Sequence, residues 1–254
     1  MNLIIPRDYN PVLNTRDTEI AIKLVKDFFE RELAKALNLV RVSAPIMVTP
    51  QSGLNDNLNG VERPVSFDIL ETGETAEIVQ SLAKWKRLAL RDYGFQPGEG
   101  LYTDMNAIRR DEVTDNIHSI FVDQWDWERI LGPDERNEAM LRSVVEKIYA
   151  TLRATEEYVC AHYPHITPEL PEHIAFVTTQ ELEDRYPDKT AKEREYLATK
   201  EHGAVFLMGI GGALRSGKIH DGRAPDYDDW TLNGDLLFWN ETLGCALELS
   251  SMGI

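Results

Sequence analysis

Apolar residues recur every three or four positions in three segments of the chain, a spacing typical of helices with one buried face. These segments predict helices over residues 18–37, 76–91 and 135–162. The apolar stripe of the first helix comprises Leu24, Val25, Phe28, Phe29 and Leu33. Asp17 is predicted to cap this helix, because its carboxylate can accept a hydrogen bond from an unpaired amide of the first turn.

Short apolar runs and period-two alternation predict the strands, because successive side chains of a strand point to opposite faces. The predicted strands cover residues 39–48, 101–108, 118–130, 173–177, 204–208, 235–239 and 244–251. Pro45 lacks a backbone amide, so it predicts either a sheet edge or the end of its strand. Thr178 and Glu181 have the spacing of a capping box, which predicts that another helix begins there.

The predicted strand 118–130 separates aromatic from polar side chains. Phe121, Trp125 and Trp127 share one face with Asp123, and we expect this face to pack on a core. The other face carries the polar row Gln124, Asp126 and Glu128, next to Ile120 and Val122. Such a row suits a polar ligand or a metal-bound phosphate. The alternative is a strand with one face in water, which is common in antiparallel sheets.

Two C-terminal segments also concentrate acidic groups. In the strand 244–251, the alternation predicts that Ala246, Glu248 and Ser250 share a face opposite Cys245, Leu247 and Leu249. The run 223–230 places an arginine and three aspartates around a proline-centred turn. Either segment could belong to a site or could lie at an ordinary solvated surface.

The composition is that of a globular protein. The 254 residues are 43% hydrophobic and 28% charged, and this length fits one large α/β or α+β domain or two small ones. The lack of an internal repeat or a low-complexity linker favours a single domain. The chain has two cysteines, Cys160 and Cys245, and no N-terminal segment resembling a signal peptide, so we expect a reduced, cytoplasmic protein. No run approaches the roughly 20 apolar residues of a membrane helix, so no membrane partner is expected.

The charge balance limits the kind of partner. Lys and Arg total 27 against 43 Asp and Glu, a formal net charge of −16. This disfavours a broad nucleic-acid surface, which requires clustered basic residues to neutralise phosphates. A local basic pocket is still compatible with this charge. An acidic substrate would need specific cationic side chains or a bridging metal.

The remaining candidate chemistry is that of anion and metal binding. The sequence contains neither a nucleophile elbow nor a Cys or His spacing typical of metal sites. Carboxylates such as Asp235 and Glu248 suit Mg²⁺, which one or two carboxylates commonly hold together with phosphate. Arg109 opens a charged connector between two strands, and arginine suits phosphate through its planar fork. Lys84, Lys86, Arg87 and Arg91 make the second helix basic, although a solvated helix face would have the same pattern.

Five motifs are spread over nearly the whole chain: Ser-Leu-Ala-Lys-Trp-Lys-Arg (81–87), Gly-Glu-Gly-Leu-Tyr-Thr (98–103), Val-Asp-Gln-Trp-Asp-Trp-Glu (122–128), Arg-Ala-Pro-Asp-Tyr-Asp-Asp-Trp (223–230) and Glu-Leu-Ser-Ser-Met-Gly-Ile (248–254). Together they resemble the motifs of the ammonia-dependent asparagine synthetase (aspartate–ammonia ligase) family. Several are long and contain tryptophan, so they are specific. The resemblance implies an α+β fold like the class II aminoacyl-tRNA synthetase core, in which helices flank an antiparallel β-sheet.

The resemblance also implies a reaction and its participants. L-Aspartate, ammonia and ATP would give L-asparagine, AMP and pyrophosphate through β-aspartyl-AMP, with Mg²⁺ accompanying ATP. The protein would act as a homodimer. The helix 18–37 and the following strand resemble the first class II motif, which builds the dimer interface. The two strands joined by the Arg109 connector resemble the second motif, which binds ATP.

The same resemblance assigns roles to the positions that match the family's motifs. The aspartate site would be lined by Asp56, Ser81, Lys86, Gln124, Asp126, Asp228, Ser250 and Ser251. The nucleotide site would be lined by Arg109, His118, Ser119, Asp235, Glu248 and Leu249. Asp235 and Glu248 would also hold Mg²⁺, and Arg109 would bridge the α-phosphate and the substrate carboxylate. The residues expected to act in catalysis are Arg109, Lys86, Asp126, Gln124 and Asp228.

The sequence departs from the family pattern at two places. The family continues beyond the position of Ile254 into a glycine-rich third motif with a nucleotide-binding arginine, and it has a longer loop where only Thr231 separates Trp230 from Leu232. We therefore expect a single synthetase-like domain over residues 1–254 that lacks this third-motif region. Two alternatives are an asparaginyl- or aspartyl-tRNA synthetase-like paralogue and a non-catalytic protein that binds aspartate or a nucleotide.

Overall fold

The computed structural model describes residues 3–7, 9–56, 58, 60–225 and 227–254, and the chain divides into two compact units. The first unit comprises Met1–Ile4 and Leu37–Pro133, and the second comprises Ile5–Ala36 and Asp134–Ile254. Each unit has its own sheet hydrogen bonding and its own hydrophobic clusters. That residues 1–254 form one domain stays a prediction.

Helices and strands alternate irregularly along the chain. In order they are α1 (Thr15–Leu37), β1 (Leu39–Arg41), β2 (Met47–Val48), β3 (Ser66–Asp68), β4 (Thr75–Ile78), α2 (Ala83–Asp92), β5 (Gly100–Ile108), β6 (Phe121–Arg129), α3 (Glu138–His162), β7 (Ala175–Thr178), α4 (Thr179–Arg185), α5 (Ala191–His202), β8 (Ala204–Met208), β9 (Asn233–Asn240) and β10 (Cys245–Gly253). Short 3₁₀ turns occur at Pro50–Ser52 and Pro133–Glu135. The mixture of helices with mainly antiparallel sheets confirms the predicted α+β class.

The first unit contains two three-stranded sheets, with strand orders β1-β5-β6 and β2-β4-β3. β5 and β6 are antiparallel and pair nine residues each, so that Thr103 lies opposite Asp126 and Met105 lies opposite Gln124. Helix α2 packs on this pair through Ala89 and Leu90, which form a buried cluster with Leu101. This packing places the polar row of β6 beside α2.

The second unit contains a four-stranded sheet of order β10-β9-β8-β7. All five residues of β8 are buried, as expected for a strand covered on both faces. Helices α4 and α5 pack on this sheet through a cluster formed by Leu182, Ala198, Val205, Leu207, Ile210 and Leu237. Elsewhere in this unit, the rings of Phe28 and Tyr158 stack 4.1 Å apart and join α1 to α3.

Part of the second predicted helix is wrong. Residues 76–78 belong to β4, which pairs with β2 on one side and β3 on the other, and α2 begins only at Ala83. Tertiary strand pairing therefore overrides the helical pattern there, as it can for short segments. The predicted strand 39–48 is also wrong in part, because β1 and β2 belong to different sheets and Pro45 lies in the break between them.

The helix ends follow local capping chemistry. The capping box at Thr178 and Glu181 is confirmed, with reciprocal hydrogen bonds between side chain and backbone. The prediction that Asp17 caps α1 is wrong. Asn14 fills that role, because its Oδ1 accepts a hydrogen bond from the amide of Asp17 at 3.0 Å. Across the described ranges, no helix is both long and apolar enough to cross a membrane.

Candidate functional site

A buried lysine organises the polar row of the first unit. The Nζ of Lys86 on α2 lies 2.5 Å from Asp126 Oδ1, 2.7 Å from the carbonyl oxygen of Trp127 and 3.6 Å from Glu128 Oε2. The lysine side chain is 6% exposed, and each carboxylate side chain is 21% exposed. A buried ammonium is costly unless it is paired, so these two acids and the carbonyl stabilise its charge.

The two faces of β6 differ from their predicted environments. Val122, on the face of the polar row, packs against a cluster that includes Leu82 and Met105, so this face is partly core. Phe121, on the predicted core face, is 56% exposed. The aromatic face is nevertheless partly covered, because Trp125 stacks on Tyr102 at 4.5 Å. The alternative that the polar row simply faces water does not hold for Asp126, because this side chain pairs with buried Lys86. Gln124, in contrast, is exposed.

The segments before α2 are tied together by side-chain hydrogen bonds. Asp56 is buried, and its Oδ1 accepts from the amide of Leu58 at 3.1 Å. Gln80 Nε2 donates to the Asp56 carbonyl oxygen at 3.1 Å, and the Gln80 amide donates to Asn55 Oδ1 at 2.9 Å. Ser81 follows directly and accepts from the amide of Ala83 at 3.2 Å. These bonds hold the segment of Asp56 to the start of the helix that carries Lys86.

Arg109 stands at the end of β5 with unused hydrogen-bonding capacity. Its amide donates to the carbonyl oxygen of Ile120 at 2.8 Å, which fixes its backbone at the base of the hairpin. Its side-chain Nε is buried and has no hydrogen-bond partner within the described part of the chain. A buried guanidinium donor without an acceptor is suited to an anionic ligand.

In the hairpin loop after Arg109, the side chain of Asp115 binds two backbone amides and the ring of His118. Asp115 Oδ1 accepts from the amides of Ile117 and His118, both at 2.8 Å, and lies 2.9 Å from His118 Nδ1. These contacts, the amide of Ile117 first, lower the pKa of Asp115. His118 and Ser119 themselves are exposed. Their predicted role beside a nucleotide stays a prediction.

In the second unit, Arg223 contacts residues of both predicted sites: Asp228 and Ser251 of the aspartate site and Asp235 of the nucleotide site. Arg223 Nη2 lies 2.8 Å from Asp235 Oδ1, and Arg223 Nε lies 3.4 Å from Asp228 Oδ2. Its Nη1 donates to Ser251 Oγ. The Arg223 side chain is 15% exposed. The sequence interpretation missed this residue, although an arginine next to several aspartates in an acidic chain was a usable signal.

A β-bulge decides which C-terminal residues share a face. The register of β9 and β10 shifts between Glu248 and Ser250, so Ser251 pairs with Asp235 while Ser250 pairs with Leu236. The extra residue at Leu249 interrupts the alternation. The predicted grouping of Ser250 with Glu248 is therefore wrong, and Ser251 joins the face that carries Asp235 and Glu248.

The Asp235 carboxyl has an unusual electrostatic environment. Burial, followed by the negative charge of Glu248, raises its pKa to about 7 even though Arg223 opposes the shift. Neighbouring Asp229 behaves in the opposite way. Hydrogen bonds from Thr231, and Arg136 at 2.6 Å, lower the pKa of Asp229 to about 2. Near neutral pH, the charge of Asp235 therefore depends on burial and on the charges of Glu248 and Arg223.

The predicted site residues fall into two groups. The first unit contains Asp56, Ser81, Lys86, Arg109, His118, Ser119, Gln124 and Asp126. The second unit contains Asp228, Asp235, Glu248, Leu249, Ser250 and Ser251. Within the first group, direct contacts join Lys86 to Asp126, and within the second Arg223 joins Asp228, Asp235 and Ser251.

Comparison with known proteins identifies the family. The sequence model described as aspartate-ammonia ligase matches residues 16–254. A protein named aspartate--ammonia ligase from Clostridium perfringens is 64% identical over 253 residues, which cover 99% of this chain and 75% of that protein. A protein of the same name from Ruminiclostridium cellulolyticum is 61% identical and covers 100% of this chain and 76% of its own length.

Solved structures identify the fold. The asparaginyl-tRNA synthetase from Pyrococcus horikoshii, complexed with asparaginyl-adenylate, superposes with a TM-score of 0.61 at 15% identity over 87% of this chain. The chain spans about half the length of that synthetase, 51%. The Entamoeba histolytica enzyme in the same kind of complex gives a TM-score of 0.56. The predicted class II synthetase-like fold is confirmed, and the sequence comparisons show that the chain belongs to the aspartate–ammonia ligase family.

Proposed function

We propose that this protein joins L-aspartate and ammonia at the expense of ATP, giving L-asparagine, AMP and pyrophosphate. The observation that carries the proposal is the 64% identity, over 99% of the chain, to a protein named for that activity. Cation-paired acids in both units add a physical reason, because an acidic amino acid and a nucleotide both require fixed positive charge in a chain of net charge −16.

The chemistry requires activation of a carboxylate, which is a poor electrophile. The β-carboxylate oxygen of aspartate attacks the α-phosphorus of ATP, and pyrophosphate leaves with the electron pair of the broken P–O bond. Ammonia then attacks the acyl carbon of β-aspartyl-AMP, loses a proton and expels AMP. The protein's contribution to these two displacements is positioning and charge stabilisation.

Residues of the first unit are proposed to bind the amino acid. Lys86 provides positive charge, and Asp126, which it orients, provides a fixed acceptor for the α-ammonium group. Asp56, Ser81 and Gln124 are assigned to the same ligand, together with Asp228, Ser250 and Ser251 of the second unit. Support comes from the rigid pairing of Lys86 with Asp126 at 2.5 Å, which holds the carboxylate in one orientation.

Arg109 is proposed to contact the α-phosphate and the attacking carboxylate. Its buried Nε lacks an acceptor within the described residues, which supports a role for an incoming anion. A guanidinium can donate to two oxygens at once and so align them. The same side chain would stabilise the negative charge that develops as the two oxygens exchange at phosphorus.

Asp235 and Glu248 are proposed to serve the nucleotide and its Mg²⁺, with His118, Ser119 and Leu249 as further nucleotide contacts. The carboxylates fit a divalent cation, because Glu248 raises the pKa of Asp235 by repulsion that a cation would relieve. No cluster of three or more potential ligands occurs in the described segments, so phosphate and water would complete the coordination. When bound, Mg²⁺ would neutralise part of the phosphate charge.

We further propose a cytoplasmic homodimer without nucleic-acid or membrane partners. The net charge of −16 supports the exclusion of nucleic acid, since phosphate binding depends on clustered basic residues.

Sedimentation at varied protein concentration tests the dimer. A single species of 28.9 kDa at micromolar concentration would contradict it.

The function is tested by AMP formation that depends on both aspartate and ammonia. We expect AMP and asparagine in equal amounts, no product when either substrate is omitted, and no replacement of ammonia by glutamine. A synthetase paralogue would instead transfer the activated amino acid to tRNA. A non-catalytic relative would bind ATP or aspartate and release no AMP.

Replacing Arg109 by alanine should abolish most AMP formation while the fold is retained. We expect the turnover number to fall by about 10²- to 10³-fold, the usual loss when one donor to a developing oxyanion is removed. Steady-state kinetics measures the loss, and circular dichroism measures the fold. Arg110→Ala is the matched control, because Arg110 is the exposed neighbour. Equal activity of the Arg109 variant and the wild type would rule out the proposed role.

Replacing Asp126 by asparagine should impair aspartate use more than ATP use. Loss of a charge-assisted contact predicts an increase of about tenfold or more in the Michaelis constant for aspartate. Glu128→Gln is the control, because Glu128 shares Lys86 but has no assigned ligand contact. If both variants change the two Michaelis constants equally, Asp126 acts on the fold rather than on aspartate.

The Asp235 carboxyl should titrate near pH 7, in agreement with its raised pKa of about 7. Carbon-13 carboxyl NMR would measure it, with the Asp235 signal assigned from D235N. Arg223→Gln should raise this pKa further, and Glu248→Gln should lower it. Between about pH 4 and pH 7 the folded protein holds a proton that the unfolded chain has lost, so this group reduces stability as pH rises. A titration below pH 4.5 would contradict the account.

A further inference from the structure

A buried histidine lies close in sequence to the central arginine of the second unit. The His220 side chain is 0% exposed, and its Nε2 lies 3.0 Å from Glu195 Oε1 on α5. The other carboxylate oxygen of Glu195 pairs with Lys192 Nζ at 3.2 Å. His220 Nδ1 is also buried and has no hydrogen-bond partner in the part of the chain described. Nε2 therefore makes the polar contact of this ring.

The Glu195 carboxylate is kept charged by its partners. Burial alone would raise its pKa, but the hydrogen bond with His220 and the charge of Lys192 outweigh it and lower the pKa. Removing the histidine would leave a largely buried carboxylate with one polar partner fewer. A contact of this kind is stronger than an exposed ion pair, because the cost of leaving a buried charge unpaired is large.

His220 is the last of several anchors that fix the segment 209–222 to α4 and α5. Thr179 Oγ1 donates to the carbonyl oxygen of Gly209 at 2.7 Å, and Ser216 Oγ donates to Glu183 Oε1 at 2.6 Å. Arg215 pairs with Asp184 at 2.6 Å, but both side chains are exposed. Arg223 follows His220 by three residues, and the intervening Asp221 and Gly222 are exposed. Within this stretch, the His220 contact is the buried one closest to Arg223.

The position of Arg223 controls the acids assigned to substrate binding. Its guanidinium reaches Asp228, Asp235 and Ser251, and it opposes the rise in the pKa of Asp235. A small displacement of the arginine backbone would break several of these contacts together, because the guanidinium fork is rigid. Loss of an anchor three residues away would therefore disturb these contacts without any direct contact to a ligand.

We propose that His220 is a positioning residue for the reaction: through Glu195 it holds the segment that carries Arg223, and so keeps Asp235 arranged for Mg²⁺·ATP. This inference rests on the proposed function for its catalytic meaning. The contact itself can be tested without turnover. Neither Glu195 nor His220 is among the site residues assigned above, although the negative charge of Glu195 contributes to the raised pKa of Asp235.

The experiment compares His220→Leu, which removes the hydrogen bond, with His220→Gln, whose amide can still donate to Glu195. Hydrogen–deuterium exchange of residues 221–232 and calorimetric binding of Mg²⁺·ATP are measured on the full chain, with kinetics in parallel. His202→Leu is the matched control. His202 is a partly exposed histidine on α5, the helix that carries Glu195, and its Nε2 lies 3.9 Å from Glu201 Oε1. Glu195→Gln provides a milder second variant if His220→Leu does not fold.

In His220→Leu we expect faster exchange at 221–232 and weaker Mg²⁺·ATP binding by about tenfold or more, as for other misplacements of positioning groups. The turnover number at saturating ATP should fall less than the affinity, His220→Gln should recover most of both losses, and the control should match the wild type. Unchanged exchange, or faster exchange with unchanged ATP affinity, would overturn the proposal. A wild type that binds ATP but forms no AMP would refute the proposed function, while exchange and affinity would still decide the role of His220.

Discussion

Pairing of buried carboxylates with a few fixed cations is the constraint on which the candidate site depends. The chain carries 43 acidic residues against 27 basic ones, and three of its partly buried acids each lie beside a cation. Lys86 neutralises Asp126 in one unit, and Arg223 contacts Asp228 and Asp235 in the other. Because an unpaired charge at low exposure is costly, these cations determine where the acids can lie.

The proposed binding of acidic ligands by an acidic protein depends on the same pairing. Lys86 and Arg223 lie beside internal carboxylates, and in the proposed function the carboxylates that they orient would receive an ammonium group or a metal ion. The buried Nε of Arg109 has no acceptor among the residues described; the Nε of Arg223 also lacks a hydrogen-bond partner there, but it lies 3.4 Å from Asp228 Oδ2. In the proposed function, Lys86 and Arg223 therefore orient carboxylates, whereas Arg109 binds the anionic ligand, which would be a form of electrostatic preorganisation.

Local chemistry made some elements predictable, whereas long-range pairing did not. The capping box at Thr178 and the apolar stripe of α3 depend on neighbours within one or two turns, so both were found from sequence. The strand at Thr75–Ile78 is stabilised by partners far along the chain, and no short-range pattern specifies it. Among the candidate site residues, Asp126 was predicted from strand alternation and a family motif, and Asp235 from its carboxylate chemistry and the family resemblance; their ligand roles stay predictions. The contacts of Arg223 with Asp228, Asp235 and Ser251 were not predicted, because they join residues that are separate in the sequence. The grouping of Ser251 with Glu248 was not predicted either, because it depends on the β-bulge at Leu249.

The proposed attack of the aspartate β-carboxylate on the α-phosphorus of ATP can be followed by isotope transfer. Aspartate carrying oxygen-18 at both β-carboxyl oxygens is turned over with ATP and ammonia, and the products are analysed by mass spectrometry. We expect one labelled oxygen in each AMP, one in the amide of each asparagine, and none in pyrophosphate. Label in inorganic phosphate with ADP as the nucleotide product, or AMP without label, would contradict the proposed attack.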